Sequence, residues 1–262
     1  MELSNLHWDE VIYKDPMGGK IILWPHLPCI MMPSSMRVRN WDGLALLYSS
    51  EDIAILKIED ELEIQNPGVN VQAVLASGIG LGMLLKDIQV LDVDGPKIPD
   101  PEPTRLLHHA ENTGNKPIYP IIPSIDDSKW EDWYINCADN QVKLVHLLGT
   151  LTKSNRYRKN KIIASKKIEK SKHINSDLGA ASAACASWWI EDNRGLTDEL
   201  IKVRDDRFAS RIRGALSDLR DRRVDESNAL HPILLVPVHQ AHIGKISEAI
   251  NNCINIEKIG RS

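Results

Sequence analysis

The chain has 262 residues and a mass of 29.5 kDa, with 42% hydrophobic and 26% charged residues. That composition excludes disorder and fibrous repeats and leaves one large domain or two small ones. Charge is uneven within the net −4: residues 1–152 hold 11 Lys and Arg against 22 Asp and Glu, while 153–173 hold 9 against 1. The basic block has only Tyr157 as a stacking aromatic. It therefore reads as a solvated helix face or connector, and nucleic acid is not an expected partner.

Phe occurs once against seven Trp, so Ile, Leu and Val must build most of the core, as in a sheet covered by helices. Cys29, Cys137, Cys185 and Cys253 are too widely spaced for a zinc knuckle or a redox pair and read as reduced thiols. The opening MELSNLHWDE carries acids where a secretory leader would be basic and then apolar. Residues 64–85 are uncharged, but Gln65-Asn66-Pro67-Gly68 is turn chemistry and Val71 to Leu85 is short for a bilayer. A soluble cytoplasmic protein with no membrane span is expected.

In chain order, Lys20 to Trp24 and Ile53 to Ile58 read as buried strands. Val71 to Leu85 reads as a helix, Asp87 to Val93 as strand-like alternation, and Gly95 to Pro103 as a breaker-rich turn. A helix around Thr104 to Asn112 and a strand around Pro117 to Ile122 follow the grammar of a βαβ unit. Spacing predicts a helix or helix pair over 126–151 and a close-packed small-residue helix over 176–190. The clearest helix starts at Thr197, an N-cap followed by Asp198 and Glu199, and ends near Arg220, Arg222 and Arg223. Ile201, Phe208, Ile212, Leu216 and Leu219 form its apolar stripe, with Lys202, Asp205, Asp206 and Arg213 opposite.

Pro232 to Val238 is a continuous apolar run, a central strand with its two prolines at the ends. Beyond it stand His239 and His242, where α/β proteins usually keep their sites, and then Ile243, Ile246 and Ile250 at helical spacing. Neutral imidazole is a common zinc ligand, although two polar residues capping the next helix explain the pair more simply. The fold expected is α/β or α+β: one domain with a central, mostly parallel sheet flanked by helices and a basic connector at 153–173.

The stretch GLTDELIKVRDDRFASRI followed by ILLVPVHQAHIGKI resembles the TraB family over residues 195–250. That family is similar to the Tiki metalloproteases and belongs with the erythromycin-esterase-like and ChaN-like folds. Arg204, Asp205 and Ala209 match its Arg-Asp-rich helix and His242 its terminal histidine. Upstream, Leu23-Trp24-Pro25-His26 stands nearest its first histidine motif, Ile53 to Glu59 nearest a strand ending in glutamate, and His108 to Ile121 nearest the helix and strand between.

The resemblance implies a metal-dependent hydrolase of a peptide, ester or related bond in a small molecule or peptide. A divalent zinc, manganese or cobalt ion would be held by His26, His239 and His242. Glu59 would activate water, with Arg204 and Asp205 orienting the substrate or the metal's ligands. Departures are specific: His239 stands where the family has glycine, Lys57 on or beside its strand glutamate, and Val203 at its helix glutamate. An ammonium repels a cation and a valine moves no proton, so a catalytically inactive relative that binds a ligand or protein is the alternative. A second alternative is a nucleotide- or S-adenosylmethionine-binding protein using Gly78, Gly80 and Gly82 with Asp92 or Asp94. Assembly into a homo-oligomer is compatible with each reading.

Overall fold

A computed structural model describes residues 3–77, 80–143, 152–171, 174–223 and 231–259. Among the described residues five strands form one sheet: β1 (Val11–Lys14), β2 (Lys20–His26), β3 (Gly43–Leu46), β4 (Ile118–Pro120) and β5 (Ile233–His239). Their spatial order is β1-β2-β5-β3-β4. Only the edge strand β1 runs antiparallel; β2, β5, β3 and β4 are parallel neighbours. The mostly parallel α/β architecture expected from the sequence is the one observed. The turn from β1 into β2 needs glycine at position 19, where φ is +86° and a Cβ would stand 2.9 Å from the Pro232 carbonyl oxygen.

β5 lies at the centre, in register with β2 from Lys20↔Ile233 to His26↔His239. On its other side β3 pairs only at Leu234 and Leu235. Pro237 therefore sits inside the strand, not at its end: no β3 partner requires its missing N–H. Strand alternation sends Ile22, Trp24 and Leu235 to one apolar layer and Ile21, Leu23, Leu234, Val236 and Val238 to the other.

Among the described residues nine α-helices flank the sheet: α1 (Ser50–Gln65), α2 (Val69–Ser77), α3 (Leu81–Ile88), α4 (Pro101–Asn112), α5 (Ser128–Gln141), α6 (Lys153–Ser165), α7 (Ser176–Asp192), α8 (Asp198–Arg223) and α9 (Ile243–Asn252). The strand expected at 53–58 is part of α1. Ser49 and Asp52 form a reciprocal capping box at its start, and only Ile53 and Leu56 of the helix are buried. Residues 87–93 are the end of α3 and a turn, where the backbone N–H of Leu91 donates to Ile88. The expected 71–85 helix is two helices, α2 and α3, and 144–151 of the expected 126–151 pair lie outside the described residues. The helix and strand expected at 104–112 and 117–122 are α4 and β4, but 87–93 supplies no first strand: β4 pairs in parallel with β3, and α1 to α4 all lie in the crossover between them. No helix among the described residues is long and apolar enough to cross a membrane.

The small residues of α7 let it pack closely, and Ala181, Ala184 and Cys185 are at most 1% exposed. The stripe predicted on α8 is buried from Ile201 to Leu219, but its opposite face is not uniformly wet: Asp205 and Arg213 are buried too. Arg213 Nε donates to Asp15 Oδ2 at 3.0 Å, a partner 198 residues away that no helical pattern reveals.

Gly214 on α8 admits the C-terminal tail, because a Cβ there would collide with the Glu257 carbonyl. Gly214→Ala is expected to expel the tail and cost about 1–3 kcal/mol, outweighing the helix-propensity gain of about 1 kcal/mol. A urea midpoint measured together with limited proteolysis of residues 253–259 checks this; an unchanged midpoint with a protected tail contradicts it.

Candidate functional site

The polar side chains gather at the carboxyl ends of β2 and β5, where the loops leave the sheet. His26 and His239 are cross-strand partners, so both rings project on the same side, the side of Trp24 and Leu235. They are 7% and 8% exposed. The backbone there is fixed by the Gln240 N–H donating to the His26 carbonyl at 3.0 Å. Gln240 is held in turn by the Ser182 hydroxyl, which donates to its Oε1, while its Nε2 donates to the His7 carbonyl.

A third group arrives from the loop before α4. Asp100 is the N-cap of α4 but makes no side-chain cap. Its Oδ2 instead stands 3.8 Å from His26 Nδ1. Three buried atoms at these ends have no hydrogen-bond partner: His26 Nδ1, Asp100 Oδ1 and His239 Nε2. His239 Nδ1 accepts the Ala241 N–H at 3.0 Å, which leaves the proton of the neutral ring on Nε2. Trp189 stacks on His239 with ring centroids 4.9 Å apart.

Burial sets the protonation of this cluster, because each group loses water without gaining a counter-charge. It pushes His26 down to about 4 and His239 well below the ordinary imidazole value, the neighbouring rings His26 and His242 adding to the effect on His239. It pushes the Asp100 carboxyl up to about 8, with Glu102 adding to the effect. Each shift favours the uncharged form, at Asp100 against backbone hydrogen bonds from Cys29 and Glu102 that favour the carboxylate.

A charged network adjoins them. His242, the N-cap of α9, places Nε2 2.9 Å from Asp205 Oδ1 on α8. The same oxygen accepts from Arg204 Nε at 2.9 Å, and Arg204 Nη1 donates to Asn193 Oδ1 at 2.6 Å. Burial lowers the His242 pKa, opposed by Asp205, and contact with His242 and Arg204 holds the Asp205 carboxyl below the ordinary value against its burial. Trp189 also packs against His242 at 4.7 Å, so one indole joins the two histidines.

Five of the six residues expected at the site meet here: His26, His239, His242, Arg204 and Asp205. Glu59 does not join them; it is half-buried on α1, and no hydrogen bond or ion pair among the described residues ties it to a histidine. The other motif histidines lie elsewhere, with His108 paired to Asp60 and His109 against Trp41. Gly80 is the N-cap of α3 and Gly82 lies in its first turn; the helix α2, not a strand, precedes them, and Gly78 lies outside the described residues. The Asp94 carboxylate pairs with Lys97, and the backbone N–H of Asp92 donates to the Asp177 carboxylate.

The side chains do not fit the donor set of a resident cation. Among the described residues no group of three or more His, Cys, Asp and Glu side chains is placed to hold one. The His239 Nδ1 lone pair is occupied by a backbone N–H, and the Arg204 guanidinium stands 3.3 Å from His242 Nε2. Sequence reasoning missed Asp100, Trp189 and Asn193. Of these only Asp100 carried a local signal, an Asp before a proline at a helix start.

Fold and site together define an α/β domain with a buried imidazole–carboxyl cluster at the carboxyl ends of its parallel strands. No protein-family model matches the chain, and no curated relative matches it.

Proposed function

We propose that the chain is a binding module of the α/β class that holds a small, uncharged, hydrogen-bonding ligand at the carboxyl ends of β2 and β5. One observation carries this reading: three buried polar atoms, from three separate segments, lack partners at one place. Buried polar groups are nearly always hydrogen-bonded, and leaving each unpaired costs about 1–3 kcal/mol, so a ligand that pairs them is strongly favoured. His239 Nε2 offers a donor, His26 Nδ1 and Asp100 offer acceptor and donor capacity, and the cluster carries no net charge to offset a charged ligand's desolvation. Trp188 and Trp189, both half-buried, pack against the His239 ring. On this reading the TraB-like segment at 195–250 supplies a scaffold: Asp205 and Arg204 anchor His242 and through it the turn at His239. The metal-dependent hydrolase, with its substrate a peptide or ester, is the competing reading.

Ligand-observed NMR with nicotinamide, uracil and acetamide as neutral probes, and calorimetry with zinc, manganese and cobalt chlorides, separate the two. At least one neutral probe is expected to bind the whole chain and to bind about tenfold more weakly to Asp100→Ala, the loss of one buried hydrogen bond. Stoichiometric binding of a divalent ion that is abolished in His26→Ala, or no neutral probe whose binding depends on Asp100, contradicts the proposal.

A further inference from the structure

Two helix faces on the outside of the molecule carry large aliphatic side chains in contact with water. On α1, Ile55, Ile58 and Leu62 are 52%, 58% and 46% exposed. Their spacing of three and four places them on one stripe. The helix around it holds six Asp and Glu against one Lys, and that Lys57 is engaged by Glu111. Glu59 and Glu61, on either side of the stripe, have no ion-pair partner among the described residues.

On α6, Ile162 is 61% and Ile163 44% exposed. The helix has five Lys and Arg and no acid. Arg156 is paired to Glu191 and Lys161 to Asp87, which fastens α6 to the rest of the fold. Arg158, Lys159 and Lys166 are exposed one turn to either side of Ile162 and have no ion-pair partner among the described residues. This is the basic block that the strand-end site leaves unused.

Each face supplies what the other lacks. We infer that the α1 face of one copy docks on the α6 face of a second copy, the Ile55, Ile58 and Leu62 stripe against Ile162 and Ile163, with Glu59 and Glu61 opposite Arg158, Lys159 and Lys166. A polyanion such as nucleic acid or an acidic membrane would satisfy α6 alone and leave the α1 stripe in water; a second copy covers both. Pairing of α1 with α1 sets acid against acid, so the contact is head-to-tail and grows into a ring or an open chain.

Sedimentation velocity of the full chain at about 50 mM and about 500 mM salt reads this contact, since screening shortens the reach of exposed charge. Self-association at the lower salt, weakened about tenfold or more at the higher, is expected. The triple variant Arg158→Glu, Lys159→Glu, Lys166→Glu and the double variant Glu59→Lys, Glu61→Lys are each expected to be monomeric alone. Mixed together they regain association, because each then offers the face the other needs, and that recovery also shows both are folded. A monomeric wild-type chain at low salt, variants that associate as the wild type does, or a mixture that stays monomeric overturns the inference. So does loss of self-association accompanied by α6-dependent binding to phosphatidylserine vesicles or single-stranded RNA.

Discussion

Asp205→Ala is expected to cost about 3–5 kcal/mol of folding free energy, the largest loss of any single substitution at the strand ends. The Asp205 carboxylate is 3% exposed, and its Oδ1 receives both Arg204 Nε and His242 Nε2. Removing it leaves a guanidinium that is 7% exposed with Asn193 as its remaining neutral acceptor, and a histidine proton with none. A stranded buried charge costs far more than an exposed pair contributes. Asp205→Asn keeps an acceptor and should lose less. Asp206→Ala, one residue on, breaks only the exposed pair with Lys202 and should leave the midpoint in place. Urea unfolding of the three variants checks the order; Asp205→Ala and Asp206→Ala with equal midpoints contradict it.

Stability is expected to peak near pH 6.5 and to fall on both sides for different reasons. In the unfolded chain His26 takes its proton near 6.5, whereas the folded chain refuses it down to about 4. Between those values the unfolded state binds more protons, so stability rises with pH across that window. His26 alone accounts for about 3 kcal/mol, and His239, also lowered by burial, acts in the same direction. Asp100 has the opposite sign. Its folded pKa of about 8 lies above the unfolded 3.8, so its contribution is present below 3.8 and is lost as pH rises through 8. Up to pH 6.5 it cancels part of the histidine gain; above 6.5 it acts without them and stability declines by about 2 kcal/mol by pH 8. Asp100→Asn should flatten this alkaline limb and keep the acid one. Urea midpoints taken from pH 4.5 to 8.5 test it, and an alkaline fall that survives in Asp100→Asn contradicts the assignment.

The parts of the fold legible in the sequence are those where one physical signal acts alone. Lys20 to Trp24 and Pro232 to Val238 are aliphatic runs buried on both faces, and they became the central pair β2 and β5. The run at 53–58 has the same composition but lies inside an acid-rich segment with a capping box at Ser49, and the cap decided for helix over strand. The apparent alternation at 87–93 is a helix end followed by a turn, which period alone cannot distinguish over so short a stretch.

At the strand ends the sequence exposed the histidines, because they follow apolar runs directly. It did not expose their surroundings. Asp205 and Arg213 look like ordinary solvent-facing charges on α8 until His242 and Asp15, distant in sequence, are brought against them. Asp100 lies in a breaker-rich turn with no periodicity to mark its direction, so its approach to His26 is a consequence of tertiary packing.

Nitrogen-15 chemical shifts of the histidine rings, followed from pH 8 to pH 4.5 with and without one equivalent of zinc, test the uncharged cluster most directly. His26 and His239 are predicted to stay neutral down to about pH 5, His239 with its proton on Nε2, and neither ring should respond to the metal. Titration of both rings near 6.5, or a zinc-induced shift shared by the two, would contradict the account.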